Sequence, residues 1–249
     1  MRHPRAGGDL AAPAALRALE RLWQGGAVKK LLFLPAALLV LAGCTAPVSA
    51  APEPSHSGAP GTVVCEYAAG GEAARKVSPP LANNVPATGQ VDYVMTLNGS
   101  PITLTLDREL APCTVNSFTS LADQGYFDDT VCHRVTDQGI FVLQCGDPTG
   151  SGRGGPGYTI PDEFEKITGY PAGVLAMANT GAPASGGSQF FIVYADTPLP
   201  PQYTVFGTMD AAGVAQVAEI AAGGNDSSFG SAGGGVPNLP AKITSIAAA

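Results

Sequence analysis

From about residue 86 onward, short runs of alternating apolar and polar residues predict a mainly β domain. Residues 91–97 and 102–106 alternate on either side of Asn98-Gly99-Ser100-Pro101, a hairpin turn signal. The period then changes. Pro112 opens a stretch in which Val115, Phe118 and Leu121 recur at helical spacing, and Gly125 ends it. Residues 131–135 and 140–144 read as paired short strands, and 174–178, 189–193 and 203–209 as further ones. Asp210 is placed to cap a second helix, with Val214, Val217 and Ile220 on one side before Gly223-Gly224. Residues 223–240 form a glycine-rich loop, and 243–246 a last strand. Eight short strands, with one helix after the second and another before the last, suit a closed antiparallel barrel capped by two α-helices.

Upstream the pattern is different. Lys29-Lys30 precede a twelve-residue apolar stretch, 31–42, which is followed by Gly43-Cys44. A bilayer needs about twenty residues, so this is the pattern of a secretory signal. Leu41-Ala-Gly-Cys44 resembles a bacterial lipobox, whose cysteine is lipidated and becomes the first residue of the mature protein. An ordinary secreted protein with a free or disulfide-bonded Cys44 is the alternative. On the first reading 28–44 is a lipoprotein signal peptide. The exported protein is then anchored to the outer face of the cell membrane by its N-terminal lipid alone. Residues 1–27, with four arginines, are expected to lie upstream of a true start at Val28 or to be disordered. Residues 45–85 are rich in Ala, Pro, Ser and Gly and read as a tether with a partly anchored extension around Cys65 and Tyr67. That leaves 86–249 as one compact domain.

Charge narrows the partners. Residues 45–249 carry 7 Lys/Arg against 18 Asp/Glu. So acidic a surface repels phosphate backbones and anionic headgroups, which argues against nucleic acid. Beyond Cys44 there are four cysteines, Cys65, Cys113, Cys132 and Cys145. An even number in an exported chain favours two disulfides, with three possible connectivities and free buried thiols as the alternative. Their spacing fits no zinc site, and no metal is expected. Gly150-Ser-Gly152-Arg-Gly-Gly155 satisfies G-x-G-x-x-G, but Pro156-Gly157 follow and no helix opens there, so it reads as a loop.

The motifs that carry chemistry are Cys132-His133-Arg134, Ile140-Phe141-Val142-Leu143-Gln144-Cys145-Gly146-Asp147, Met177-Ala178-Asn179, Gly187-Ser-Gln189-Phe190-Phe191 and Val205-Phe206-Gly207. They put one arginine, two glutamines and several aromatics on apolar strands, with no nucleophile–base pair. Over 88–249 they closely resemble the cyclophilins, the peptidyl-prolyl cis-trans isomerases. That family has a Phe-His-Arg strand, then Gly-Phe-Met-x-Gln-Gly-Gly-Asp, Met-Ala-Asn, Gly-Ser-Gln-Phe-Phe and Val-Phe-Gly. The resemblance implies a cyclophilin-like closed barrel that works as a monomer without cofactor on proline-containing polypeptides. It makes Arg134 the catalytic arginine and Gln144 its neighbour. Phe141, Val142, Phe190, Leu199 and Tyr203 would form the proline pocket, while Ala178, Asn179 and Gln189 would hold the substrate backbone. Adjacent strand residues face opposite ways, so one of Phe190 and Phe191 is core; the sequence alone does not choose, and only the resemblance favours Phe190 for the pocket. With Arg134 and Gln144 on one face, Cys132 lies on that face and Cys145 on the other. A direct Cys132–Cys145 bridge is therefore not expected, and Cys65 should tie the extension to the barrel.

There are departures. The stretch from Arg134 to Gln144 is two residues longer than in the family's common short form. A tryptophan frequent in the pocket falls at about Pro198, and a late histidine is Tyr203. The lone tryptophan, Trp23, lies upstream of the lipobox. Family members use that pocket tryptophan to donate to cyclosporin, so cyclosporin binding is in doubt here.

The chemistry itself is simple. Amide resonance sets a barrier of about 18–20 kcal/mol to rotation. A guanidinium held beside the proline nitrogen would donate to the lone pair that appears only in the twisted state. A binding module on the same fold, holding proline-containing loops with little turnover, is the alternative function.

Overall fold

Asn98 and Gly99 both adopt positive φ, 49° and 81°, so the first hairpin turns on two residues. Such a backbone matches the twist of the strands it joins. Pro101, expected in the turn, instead lies in the second strand opposite Thr96. The computed structural model describes residues 59–249. The readings of 1–27, of the signal at 28–44 with Cys44, and of the first part of the tether lie outside the described residues.

In chain order the first strands are β1 (Thr62–Val63), β2 (Ala68–Ala69), β3 (Val85–Pro86), β4 (Gln90–Leu97) and β5 (Ser100–Asp107). Helix α1 (Pro112–Asp123) follows, then β6 (Thr130–Val131), β7 (Arg134–Gln138), β8 (Ile140–Cys145) and β9 (Tyr158–Thr159). The chain continues through β10 (Val174–Met177), β11 (Phe190–Val193), β12 (Val205–Met209), helix α2 (Ala211–Ala222) and β13 (Lys242–Ala248). Both helices start where the sequence marks them. Asp210 accepts from the Gly213 N–H at 2.7 Å. At α1 the orphan amides of Cys113 and Thr114 donate to the Glu163 carboxylate at 3.0 and 2.9 Å, a cap supplied from far along the chain.

Nine strands form one antiparallel sheet in the order β6-β13-β4-β5-β12-β10-β11-β8-β7. Its two edge strands, β6 and β7, are the halves of one stretch expected as a single strand. The first half pairs with β13 and the second with β8. Only Cys132 and His133 separate them, so the covalent chain links the two edges and the sheet must curl round on itself.

That crossover corrects the expectation about the cysteines. The bonds are Cys65–Cys113 and Cys132–Cys145, with Cα–Cα separations of 5.5 and 4.0 Å. The predicted register is present, with Arg134 opposite Gln144, and Cys145 does point inward. The error lay in counting alternation back from Arg134 to Cys132. Residues 132–133 leave the ladder, and the Cys132 N–H still donates to Ala241 O at 2.8 Å, on the β13 side. Cys132 is thus turned into the core, where it meets Cys145.

Cys65–Cys113 joins the extension to α1. Two-residue ladders, β1 with β3 and β2 with β9, hold it further. Arg75 adds hydrogen bonds to the carbonyls of Gly125 and Asp128 at 2.7 and 2.8 Å.

Inside the sheet Phe118 of α1 packs against Phe127, Phe190 and Phe206, with centroids 5.1–5.3 Å apart. Val217 and Ile220 of α2 are buried in the same cluster. Phe190 is therefore interior core, contrary to its expected place in the pocket. Phe190→Ala should lower stability by about 3–5 kcal/mol through cavity formation. Denaturant unfolding checks this, and a loss well below 1 kcal/mol would contradict the placement.

Candidate functional site

The register sets out the site as a row across five strands. Arg134 lies opposite Gln144, Gln144 opposite Phe191, Phe191 opposite Ala176, and Ala176 opposite Val205. Paired residues share a face, so all five point away from the Phe190 core. Neighbouring strands are about 4.8 Å apart, which puts the arginine and Phe191 roughly 10 Å from each other along the row.

The polar end of the row is a directed chain of hydrogen bonds. Arg134 Nη1 donates to Gln144 Oε1 at 3.3 Å, Gln144 Nε2 to Gln189 Oε1 at 2.9 Å, and Gln189 Nε2 to Gly154 O at 3.0 Å. Each amide carbonyl accepts from the preceding group, so the orientation of both glutamines follows from the guanidinium, which can only donate. Burial lowers the Arg134 pKa from its usual value, and the nearby Tyr203 works against that. The group still carries its charge at neutral pH.

Asp147 organises the far end of this chain. It is fully buried and accepts from the Thr149 N–H and hydroxyl, both at 2.8 Å, from the Ser151 hydroxyl at 3.2 Å and from the Arg153 N–H at 3.1 Å. Burial pushes its carboxyl up, but the hydrogen bonds, those of Gly154 and Thr149 foremost, outweigh that and bring it down to about 2. A Cβ on Gly154 would come within 2.0 Å of this carboxylate, so only glycine allows the carbonyl at 154 to reach Gln189. The Gly150–Gly155 run is thus a loop wrapped on Asp147.

The apolar end comprises Val142, Tyr170, Val174, Ala176, Phe191 and Val193, with Ala178, Leu199 and Tyr203 packed against them. Phe191 and Tyr203 meet edge to face at 5.4 Å. The Tyr170 hydroxyl donates to Tyr203 O at 3.0 Å and accepts from the Tyr203 N–H at 2.9 Å, which fixes the segment carrying Tyr203. Beside this cluster, Gln144, Ala178, Asn179 and Gln189 line one cleft of about 370 Å³, to which the extension contributes Gly70. Asn179 is braced from Nδ2 to Gln202 O at 2.7 Å.

Eight of the expected residues thus come together: Arg134, Gln144, Val142, Ala178, Asn179, Gln189, Leu199 and Tyr203. Two do not. Phe190 is in the core. Phe141 pairs across from Asp137, shares its side of β8 with Leu143, and packs edge-on to Tyr194 at 6.0 Å rather than in the Phe191 cluster. The ring that sequence reasoning missed is Phe191. Its signal was available, since Gln189 and Phe191 are two apart and lie on one strand face.

His133, next to the arginine, is 2% exposed, and neither ring nitrogen has a hydrogen-bond partner. Burial lowers its pKa from 6.5, only partly offset by Asp147. A base whose folded pKa is lowered contributes stability that is present above about 6.5 and lost as pH falls. Glu163, raised by its own burial, works with the opposite sign. His133→Gln should therefore flatten the decline in unfolding free energy between about pH 7.5 and 5.5, as measured in denaturant. An unchanged slope would contradict this.

Comparison with known proteins agrees with this geometry. Residues 93–247 match the family model described as cyclophilin type peptidyl-prolyl cis-trans isomerase/CLD. A probable peptidyl-prolyl cis-trans isomerase B of Mycobacterium leprae is 46% identical over 177 residues, covering 65% of this chain and 60% of its own length. Its counterpart in Mycobacterium tuberculosis H37Rv is 44% identical over 198 residues, covering 73% and 62%. The chain thus spans about six-tenths of the length of these curated relatives. The crystal structure of a Cryptosporidium parvum cyclophilin type peptidyl-prolyl cis-trans isomerase superposes with a TM-score of 0.56 at 28% identity, covering 65% of this chain and 98% of that one. A row of arginine, glutamine and phenylalanine on the outer face of a curled sheet, in a segment matching the family model from 93 to 247, means that this chain belongs to the cyclophilin-type peptidyl-prolyl cis-trans isomerase family.

Proposed function

We propose that the protein isomerises X-Pro bonds in exported polypeptides, with Arg134 stabilising the twisted amide. The observation that carries this reading is the single row joining a guanidinium to an apolar floor, Arg134–Gln144–Phe191. A proline ring seated on Phe191, Val142, Leu199 and Tyr203 leaves its nitrogen toward the arginine. Ala178, Asn179 and Gln189 flank the cleft where the substrate backbone would run. Unassisted, the bond turns over in tens to hundreds of seconds. In the planar amide the nitrogen lone pair is delocalised and accepts nothing. As the bond twists the lone pair localises, and a charged N–H donor gains an interaction of about 1.5–3 kcal/mol. That difference supplies roughly ten- to a hundredfold, because it exists only in the transition state. The remainder comes from gripping the ring while the preceding carbonyl turns. No step in this scheme calls for a metal or a cofactor.

Two disulfides fit an oxidising compartment outside the cytoplasm. Combined with the lipobox at Cys44, this supports an exported lipoprotein held at the outer face of the cell membrane, where cell-envelope polypeptides would be its clients.

Arg134→Ala should cut kcat/KM on an Xaa-Pro peptide by about tenfold or more while the protein still melts cooperatively. Arg134→Lys should fail nearly as badly, because a flexible point charge does not reproduce the planar fork. Phe191→Ala should act differently and weaken peptide binding. A protease-coupled assay reads all three. If folded Arg134→Ala kept full activity, the binding-module reading would move ahead.

A further inference from the structure

The glycine-rich loop after α2 reaches back onto the arginine. Arg134 Nε donates to Gly233 O at 3.0 Å and Nη2 to Ala232 O at 2.5 Å, from positions 99 and 98 residues away. The Phe229 ring lies under the guanidinium, its centroid 5.6 Å from Cζ, and 6.3 Å from the ring of His133. A guanidinium has five N–H groups. Two go to this loop and one to Gln144, which leaves one on each terminal nitrogen for a ligand.

The loop is built to stay in place. Its backbone exchanges two hydrogen bonds with the catalytic strand, Val135 N–H to Gly235 O at 2.9 Å and Gly235 N–H to Val135 O at 3.1 Å. Gly234 has φ +72°, and a Cβ there would lie 2.1 Å from Val135 O, so only glycine permits this approach. Asp226 ties the two ends together. Its Oδ1 accepts from the Ser228 N–H at 2.9 Å and from the Val236 N–H at 2.8 Å. None of these atoms belongs to the apolar floor or the substrate cleft.

We propose that residues 226–236 act as a positioning clamp for the Arg134 guanidinium, with Phe229 and the 232–233 carbonyls setting its plane and Asp226 and Gly234 holding the loop. This rests on the isomerase reading of the site and deepens it. An unclamped arginine would have to be ordered during each turnover, whereas a clamped one already points its two free N–H groups at the proline nitrogen. Asp226, Phe229 and Gly234 are thus positioning residues, acting through Arg134 without touching substrate.

The test combines kinetics with the side-chain NMR signal of Arg134. In the full protein, Asp226→Ala, Phe229→Ala and Gly234→Ala should each lower kcat by about tenfold with KM nearly unchanged. Asp226→Asn should restore most of the rate, since its amide oxygen can accept both N–H groups. In an Arg134→Ala background the same substitutions should cost nothing further, as expected for residues acting as one unit. The wild-type Arg134 Nε–H should be protected from solvent exchange, and Asp226→Ala should remove that protection. Folded variants with full kcat, or an undiminished loss in the Arg134→Ala background, would overturn the clamp. So would a wild-type Nε–H exchanging like that of a free side chain, whatever the variants do. Full activity of Arg134→Ala alone would instead overturn the isomerase site itself.

Discussion

One stretch of nine residues, 130–138, holds both edges of the sheet. Its first half completes the ladder beside β13 and its second half the ladder beside β8. Because backbone groups in a curled sheet need partners, the chain must leave one ladder before it enters the other. Cys132 and His133 occupy that gap, and Arg134 is the first residue beyond it. The arginine therefore enters the β7–β8 register at its start, opposite Gln144, with Cys132–Cys145 bridging the same two chain segments just inside. The position of the cation is a consequence of how one stretch of chain serves both edges of the curled sheet.

The two faces of that sheet divide the labour. Inward, Phe190, Phe118, Phe127 and Phe206 form the close-packed interior that makes the sheet rigid. Outward, Phe191, Val142 and their neighbours form a second apolar layer beside the row of polar groups. Adjacent phenylalanines serve opposite faces, Phe190 in the interior and Phe191 in the outward apolar layer. Polar side chains at the site are held through other polar groups, as Asp147 holds the 149–154 turn and that turn holds Gln189. A site made this way needs little reorganisation when a substrate arrives.

Most of the architecture was legible because its signals are local. The turn at Asn98-Gly99, the cap at Asp210 and the helical spacing of Val115, Phe118 and Leu121 all act within a few residues. What was not legible depends on contacts that alternation does not encode. Reading 131–135 as one strand gave Cys132 the wrong face, since alternation cannot show that a run serves two partners. Strands of two residues, such as β2, show no period at all. Phe191 was within reach from Gln189 by parity. The hold on Arg134 by residues 232–233 was not, because it comes from backbone carbonyls in a glycine-rich run that has no side-chain pattern to read.

The account stands on turnover at this row of residues, beyond mere occupancy. Exchange NMR on a short Ala-Pro peptide with a small fraction of the protein separates the two. Peptide resonances should shift on binding, and cis and trans signals should exchange within a mixing time of about a second, against tens of seconds or more unassisted. Binding shifts with exchange left at the unassisted rate would contradict the account.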